Sequence, residues 1–240
     1  SRKFEQKEFL ASKDPWFRPV NHYVGPDGAL YVVDYYRRII EHPEWMGEET
    51  INSGHLYDGV DQGRIYRITP RGTAPANWTQ NLDFGKLSDQ ELIPFLEDDN
   101  TWFRLNAQRL LIDRANAALV GDLVRFIQTS KSSTGRLHAA WTLEGLGQLK
   151  PEMVIELMKD PEAGLRENAI VLSEPFLDED QVLQALITLE NDPDIRVRFQ
   201  LLCTLGAVDN PAVVTVRNRM VMKDIGERWM QVAALSSSAP

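Results

Sequence analysis

The sequence predicts a mainly α protein: an α-α solenoid of helix pairs, preceded by a small β segment. Three observations carry that expectation. Arg104, Arg136, Arg166 and Arg198 fall into register in similar stretches, at intervals of 32, 30 and 32 residues, and a fixed period of this length marks a repeat architecture. Apolar residues follow each arginine at helical spacing. Residues 18–70 lack that period and are instead rich in β-branched and aromatic residues between Gly and Pro turns, the pattern of strands.

In chain order, Val20–Val24 and Ala29–Val33 read as two strands around Gly25-Pro26-Asp27-Gly28, in which Asp-Gly is expected to supply the positive backbone angles of a tight hairpin. Arg64–Thr69 alternates polar and apolar residues as a third strand before Pro70 ends it. Three strands joined by a connection of nearly 30 residues resemble part of a propeller blade. Such a piece presents unpaired backbone at its flanks and needs sister blades or another domain to cover it.

From Leu87 onward the pattern is helical. Ala107, Ala139 and Ala169 stand three residues after their arginines, where a small side chain lets a partner helix approach. Leu111, Leu143 and Leu205 follow at plus seven, and Leu146, Phe176 and Val208 at plus ten, giving each helix one apolar stripe. Asp160-Pro161 and Asp192-Pro193 read as an N-cap followed by Pro at the first helical position. Second helices are expected at 116–129, 151–159, 178–190 and 210–223, and residues 225–237 read as the first helix of a fifth unit, with Arg228 or Gln231 at the arginine position. Helix pairs of this kind bury their apolar faces only by stacking on neighbours. The organisation is therefore a β segment at 1–72, a linker at 73–87 and helical repeats at 88–240.

The helical units resemble HEAT repeats of a short variety; neither a tetratricopeptide nor an ankyrin signature is present. The resemblance implies a ladder between successive repeats and assigns its rungs to Asp98 with Arg104, Asp160 with Arg166, and Asp192 with Arg198. Ser130 stands in place of the acid in the second unit, so a rung is in doubt there.

The strings "DPWFRPVNHYVGPDGALYVVDYYRRIIEHPEW", "GRIYRITP", "LHAAWTLEGLG" and "LRENAIVLSEPFL" together resemble the large membrane-bound dehydrogenases of planctomycetes and related bacteria. In those proteins a propeller similar to quinoprotein sugar dehydrogenases runs into HEAT repeats and then a haem-binding cytochrome c domain. The resemblance implies that this chain is a C-terminal piece of such a sugar or alcohol dehydrogenase, periplasmic or at the cell envelope. Its parent would use pyrroloquinoline quinone and calcium; no cofactor is expected in this chain. Cys203 is the single cysteine, so no Cys-x-x-Cys-His haem attachment exists within these residues, and the isolated chain is expected to be inactive. The competing reading is a protein-protein interaction module without redox chemistry.

Asp34, Arg37, Arg38 and His42 cluster just after the second strand. At the mouth of a propeller, arginines could clamp the carboxylates of a quinone, and His42 could take a proton from a sugar hydroxyl. The alternative is structural: Asp34 pairs with Arg37 or Arg38 to hold the long loop, and His42 caps it before Pro43. The loop carrying His55, Asp58 and Asp61 offers oxygen ligands without the spacing of a calcium hand. Trp102, Trp141 and Trp229 recur near repeat-helix starts, either as an exposed row or as seals between repeats. Cys203 reads as a buried filler.

With 35 acidic against 26 basic residues and a net charge of -9, the chain is repelled by phosphate backbones, so nucleic acid is not an expected partner. No stretch is apolar enough for a membrane span, and the expected partners are proteins or adjoining domains. The opening Ser-Arg-Lys-Phe has no apolar signal region, as in a cytosolic protein or a segment of a longer chain.

Overall fold

The computed structural model describes residues 7–73 and 82–236. It is mainly helical with one small antiparallel sheet, and it divides into two compact units: residues 1–82 with 100–102, and residues 83–99 with 103–240. Of the expected linker at 73–87, residues 74–81 lie outside the described residues, as does Ser237 of the expected fifth-unit helix.

The first unit is built on β1 (Pro19–Val24), β2 (Leu30–Asp34) and β3 (Arg64–Ile68), ordered β1-β2-β3. Tyr23, Tyr31 and Arg67 stand in one cross-strand row and His22, Val32 and Tyr66 in the next. At the hairpin, the Gly25 N–H donates to the Ala29 carbonyl at 2.9 Å, and only Gly28 takes a positive φ, +73°. The expectation of left-handed backbone across both Asp27 and Gly28 is corrected, because a three-residue hairpin loop needs it only at its last position. Asp27 contributes through its side chain instead. Its Oδ1 accepts from the Ala29 N–H at 3.1 Å, and its Oδ2 accepts from the Tyr31 hydroxyl at 3.0 Å and Arg67 Nε at 2.6 Å. The turn is thereby tied to the far edge strand. The β2–β3 excursion contains α1 (Glu48–Asn52).

The second unit opens with α2 (Asp89–Leu92), whose Ser88 and Glu91 exchange side-chain and backbone bonds in a capping box;. There follow α3 (Thr101–Arg114), α4 (Val120–Thr129), α5 (Ser133–Gly145), α6 (Pro151–Leu157), α7 (Ala163–Leu172), α8 (Asp180–Ile187), α9 (Ile195–Leu205), α10 (Pro211–Lys223) and α11 (Arg228–Ser236). Packing is sequential: α5 lies against α4 and α7, α7 against α6 and α9, and α9 against α10 and α11. Ala107, Ala139 and Ala169 are fully buried, as are Leu111, Leu143 and Leu205. The plus-ten residues Leu146, Phe176 and Val208 are half-buried.

The helix starts differ from expectation. Asp160 and Asp192 are not N-caps; α7 and α9 begin three residues later, with Glu162 and Asp194 at the cap. Each aspartate instead accepts the N–H two residues on, Glu162 N and Asp194 N, both at 2.9 Å. That turn leaves each carboxylate facing the arginine of the preceding repeat, Arg136 for Asp160 and Arg166 for Asp192. Pro does occupy the first helical position in α6 and α10.

Candidate functional site

Asp34 ends β2 and is 1% exposed. Its Oδ1 accepts the Arg18 N–H at 2.8 Å and the Tyr36 N–H at 2.9 Å, whereas its Oδ2 is buried without a hydrogen-bond partner among the described residues. The carboxylate thus braces the chain entering β1 against the chain leaving β2 and does not pair with Arg37 or Arg38.

Immediately after it the backbone turns sharply. Tyr36 has φ +48°, and Gly59 packs so closely that a Cβ there would lie 2.5 Å from the Tyr36 carbonyl oxygen. Arg37 fills the same junction: its Nη1 donates to the carbonyls of Tyr35, Tyr36 and Gly59, and its Nη2 to that of Val60 at 3.2 Å. Arg38 Nη1 meets Asp58 Oδ2 at 3.2 Å and His55 Nδ1 at 2.7 Å, and His55 Nδ1 in turn lies 2.9 Å from Asp58 Oδ2. The His55 hydrogen bond, with help from Arg38, holds the Asp58 carboxyl below the usual carboxylate range despite opposing desolvation. Both arginines therefore pin residues 55–60 to the end of β2.

His42 stands apart from this junction. Its Nδ1 accepts the Glu44 N–H at 3.4 Å as the cap of a short 3-10 turn begun by Pro43, and its side chain is 61% exposed. The four residues singled out as a possible pocket are thus divided among a strand brace, two loop struts and a turn cap. Among the described residues no group of three His, Cys, Asp or Glu side chains is arranged to hold a metal.

The second set of candidates lies on the helical unit. In each of four repeats the arginine Nη1 donates to a backbone carbonyl six residues earlier: Arg104 to Asp98 at 2.5 Å, Arg136 to Ser130 at 3.0 Å, Arg166 to Asp160 at 2.9 Å and Arg198 to Asp192 at 2.7 Å. The six-residue spacing is therefore a backbone contact within the repeat. The carboxylate contact crosses to the next unit. Arg136 grips Asp160 through Nε and Nη2, both at 3.0 Å; Arg166 grips Asp192 at 2.6 and 2.8 Å; Arg198 grips Asp224 at 2.8 and 2.9 Å. The assigned pairs Asp98–Arg104, Asp160–Arg166 and Asp192–Arg198 all meet through carbonyl oxygens, and the Asp160 and Asp192 carboxylates serve the preceding arginine. The aspartates avoid the N-cap position for this reason.

These two-point bonds combine charge with fixed geometry. The partners are largely buried, with Arg166 and Asp192 side chains 12% and 4% exposed. Burial works to raise the Asp192 carboxyl, but Arg166 and the Asp194 N–H more than offset it and leave it below its ordinary value. The bond from Arg198 likewise lowers Asp224. Asp224 was absent from the sequence-based assignment, although it repeats the 26-residue separation of Arg166 from Asp192.

By the same separation Ser130 stands where Arg104 would find its acid. There, Arg104 Nε reaches His138 Nε2 on α5 at 3.4 Å, and His138 Nδ1 lies 2.6 Å from Gln108 Oε1 on α3. At the far end Gln231 Nε2 donates to the Ile225 carbonyl six residues earlier, at 2.6 Å, which places Gln231 rather than Arg228 at the repeat position. Trp141 Nε1 donates to Asn168 Oδ1 on α7 at 3.0 Å, sealing a seam, whereas Trp229 is 68% exposed. Cys203 is half-buried, and desolvation, then Glu174, push its thiol up.

The fold and these contacts define a stacked helical-repeat unit joined to a small sheet unit. Residues 1–72, the sheet portion, match the family described as a domain of unknown function, DUF7133. No curated protein matches the chain.

Proposed function

We propose that the chain acts as a scaffold, its helical stack positioning or binding a protein neighbour. The observation that supports this reading is the set of two-point Arg–Asp bonds, Arg136–Asp160, Arg166–Asp192 and Arg198–Asp224, which join the last four repeats one to the next in fixed register. A unit held in this way presents consecutive surfaces at constant spacing, as recognition by repeat proteins requires.

The finer reading rests on the resemblance of residues 14–45 and 63–70 to quinoprotein-like dehydrogenases. On that reading the sheet unit contributes to a sugar- or alcohol-oxidising propeller, and the stack sets its position relative to an electron-accepting domain. Arg37 and Arg38, whose guanidinium groups bond to the chain's own loop, would shape such a pocket by holding residues 55–60.

Calorimetric titration of pyrroloquinoline quinone, with and without calcium, tests the division of labour. These 240 residues are expected to show no saturable heat. Micromolar binding abolished by Arg37→Ala would overturn the scaffold reading. Cross-linking in source cells, mapped by mass spectrometry, is expected to place protein neighbours on α3–α11; cross-links confined to residues 7–73 would count against it.

A further inference from the structure

The seam between α3 and α5 differs from the three that follow. In those, a guanidinium meets a carboxylate brought by the next repeat. Here the group brought by the next repeat is an imidazole. We propose that the α3–α5 seam is a proton-operated hinge, closed by neutral His138 and opened when the ring takes a second proton.

The geometry requires one protonation state. Gln108 Oε1 is an acceptor, so the His138 Nδ1 facing it at 2.6 Å must carry hydrogen;. Arg104 Nε–H is a donor, so the His138 Nε2 facing it at 3.4 Å must be bare;. The ring is then neutral and bridges α3 at two points. A proton arriving at Nε2 converts that contact into two opposed N–H groups and sets two positive charges side by side. The Gln108 bond survives, so the seam loosens on the Arg104 side first.

The surroundings offer the cation little compensation. On the elements packed against α5, Glu97 accepts from the Ser130 hydroxyl, Asp122 of α4 pairs with Arg125, and Arg166 of α7 is held by Asp192. Glu167 of α7 lies in the field of Arg196. Within α5 itself, Arg136 is taken by Asp160. Desolvation, and after it the Arg104 charge, hold the ring below its ordinary value of 6.5.

The sign follows from linkage. A base whose folded pKa is depressed binds fewer protons folded than unfolded, so stability falls as pH drops below 6.5;. The rungs at Asp192 and Asp224 have lowered carboxyl values and persist to far greater acidity. Mild acid therefore opens the α3–α5 seam and leaves the rungs at Asp192 and Asp224 closed.

Hydrogen exchange read by mass spectrometry at pH 7.5 and 5.5, corrected for intrinsic rates, tests this. Peptides of α3 and α5 are expected to lose protection several-fold at the lower pH, with those of α7 and α9 unchanged. His138→Gln, which cannot take the proton, is expected to remove the difference. A loss spread equally over all seams, or one that persists in His138→Gln, would overturn the hinge. Should that variant fail to fold, the ring titration in the unaltered protein decides: a value at or above 6.5 overturns the proposal, and a lower one accompanied by α3 and α5 exchange upholds it.

Discussion

The two units hold themselves together by different means. Among the described residues, the sheet unit buries only Ala29, Val32 and Tyr36 as apolar side chains, while the helical unit buries thirty-two. The sheet unit also leaves Tyr23, Trp45, Tyr57 and Ile65 each at least 65% exposed. Since a three-stranded sheet requires a covered apolar face for independent stability, its order depends on local polar ties: Asp34 at the strand end, Asp27 across the hairpin, and Arg37 into four carbonyls. The helical unit has a core that runs unbroken from Ala140 to Ala233 and adds its polar contacts at the seams, where they set register more than they supply burial. Polar contacts thus serve as framework in one unit and as alignment in the other.

Breaking a seam should have the largest effect. Arg166→Met leaves the Asp192 carboxylate buried without its guanidinium, and loss of one partner from a buried pair costs about 3–5 kcal/mol. Chemical unfolding is expected to show that loss, and the double variant Arg166→Met/Asp192→Leu should recover much of it. If the double variant were no better than the single, alignment by charge would be the wrong account of the seams.

A smaller break is expected at the sheet unit's loop junction. Gly59 combines φ +87° with the close Tyr36 carbonyl, so Gly59→Ala should cost roughly 1–3 kcal/mol and release residues 55–60 to protease. An uncleaved loop would show that Arg37 and Arg38 suffice without the tight backbone contact.

Next in size is the α9 cap. Asp194 Oδ1 accepts the Arg196 N–H at 2.8 Å, and Asp194→Ala should cost about 1 kcal/mol. The Arg196 side chain, followed by its N–H, holds the Asp194 carboxyl at about 2, below the ordinary 3.8. The contribution is accordingly complete above 3.8 and lost as pH falls through about 2;. Thermal unfolding of both proteins across that range should converge at the acid end.

The smallest effect is a gain. Ala115, just past α3, has φ +51°, a conformation that glycine adopts without the penalty of a Cβ. Relief of roughly 1–2 kcal/mol of left-handed strain, less glycine's entropic cost of roughly 0.5–1 kcal/mol, leaves Ala115→Gly a net gain of about 0.5–1 kcal/mol in a melting curve, with no change in the sheet unit.

Much of this is legible in the sequence. The arginine period located α3, α5, α7 and α9, and the alanines three residues on were expected at close helix contacts and are fully buried. Strand positions followed from the β-branched runs, and the His42 cap was one of two readings the residues allowed. The rungs were not legible in the same way. Asp160–Arg166 and Arg136–Asp160 both satisfy a periodic alignment, and a six-residue spacing does not say whether a guanidinium meets the carbonyl or the carboxylate of the residue it reaches. Nor does the string from Asp34 to His42 reveal that its members separate into a brace, two struts and a cap.

The sequence by itself determined where the three strands and the repeat helices fall, to within a few residues, and at what interval the helices recur, because local periodicity and turn chemistry act over a few residues. Only the tertiary structure decided which acid each arginine meets, that Gln231 occupies the last repeat position, and that His138 stands where a carboxylate stands elsewhere. Those outcomes depend on how one repeat stacks against the next, and stacking joins side chains some 24 to 34 residues apart, beyond the reach of any local pattern.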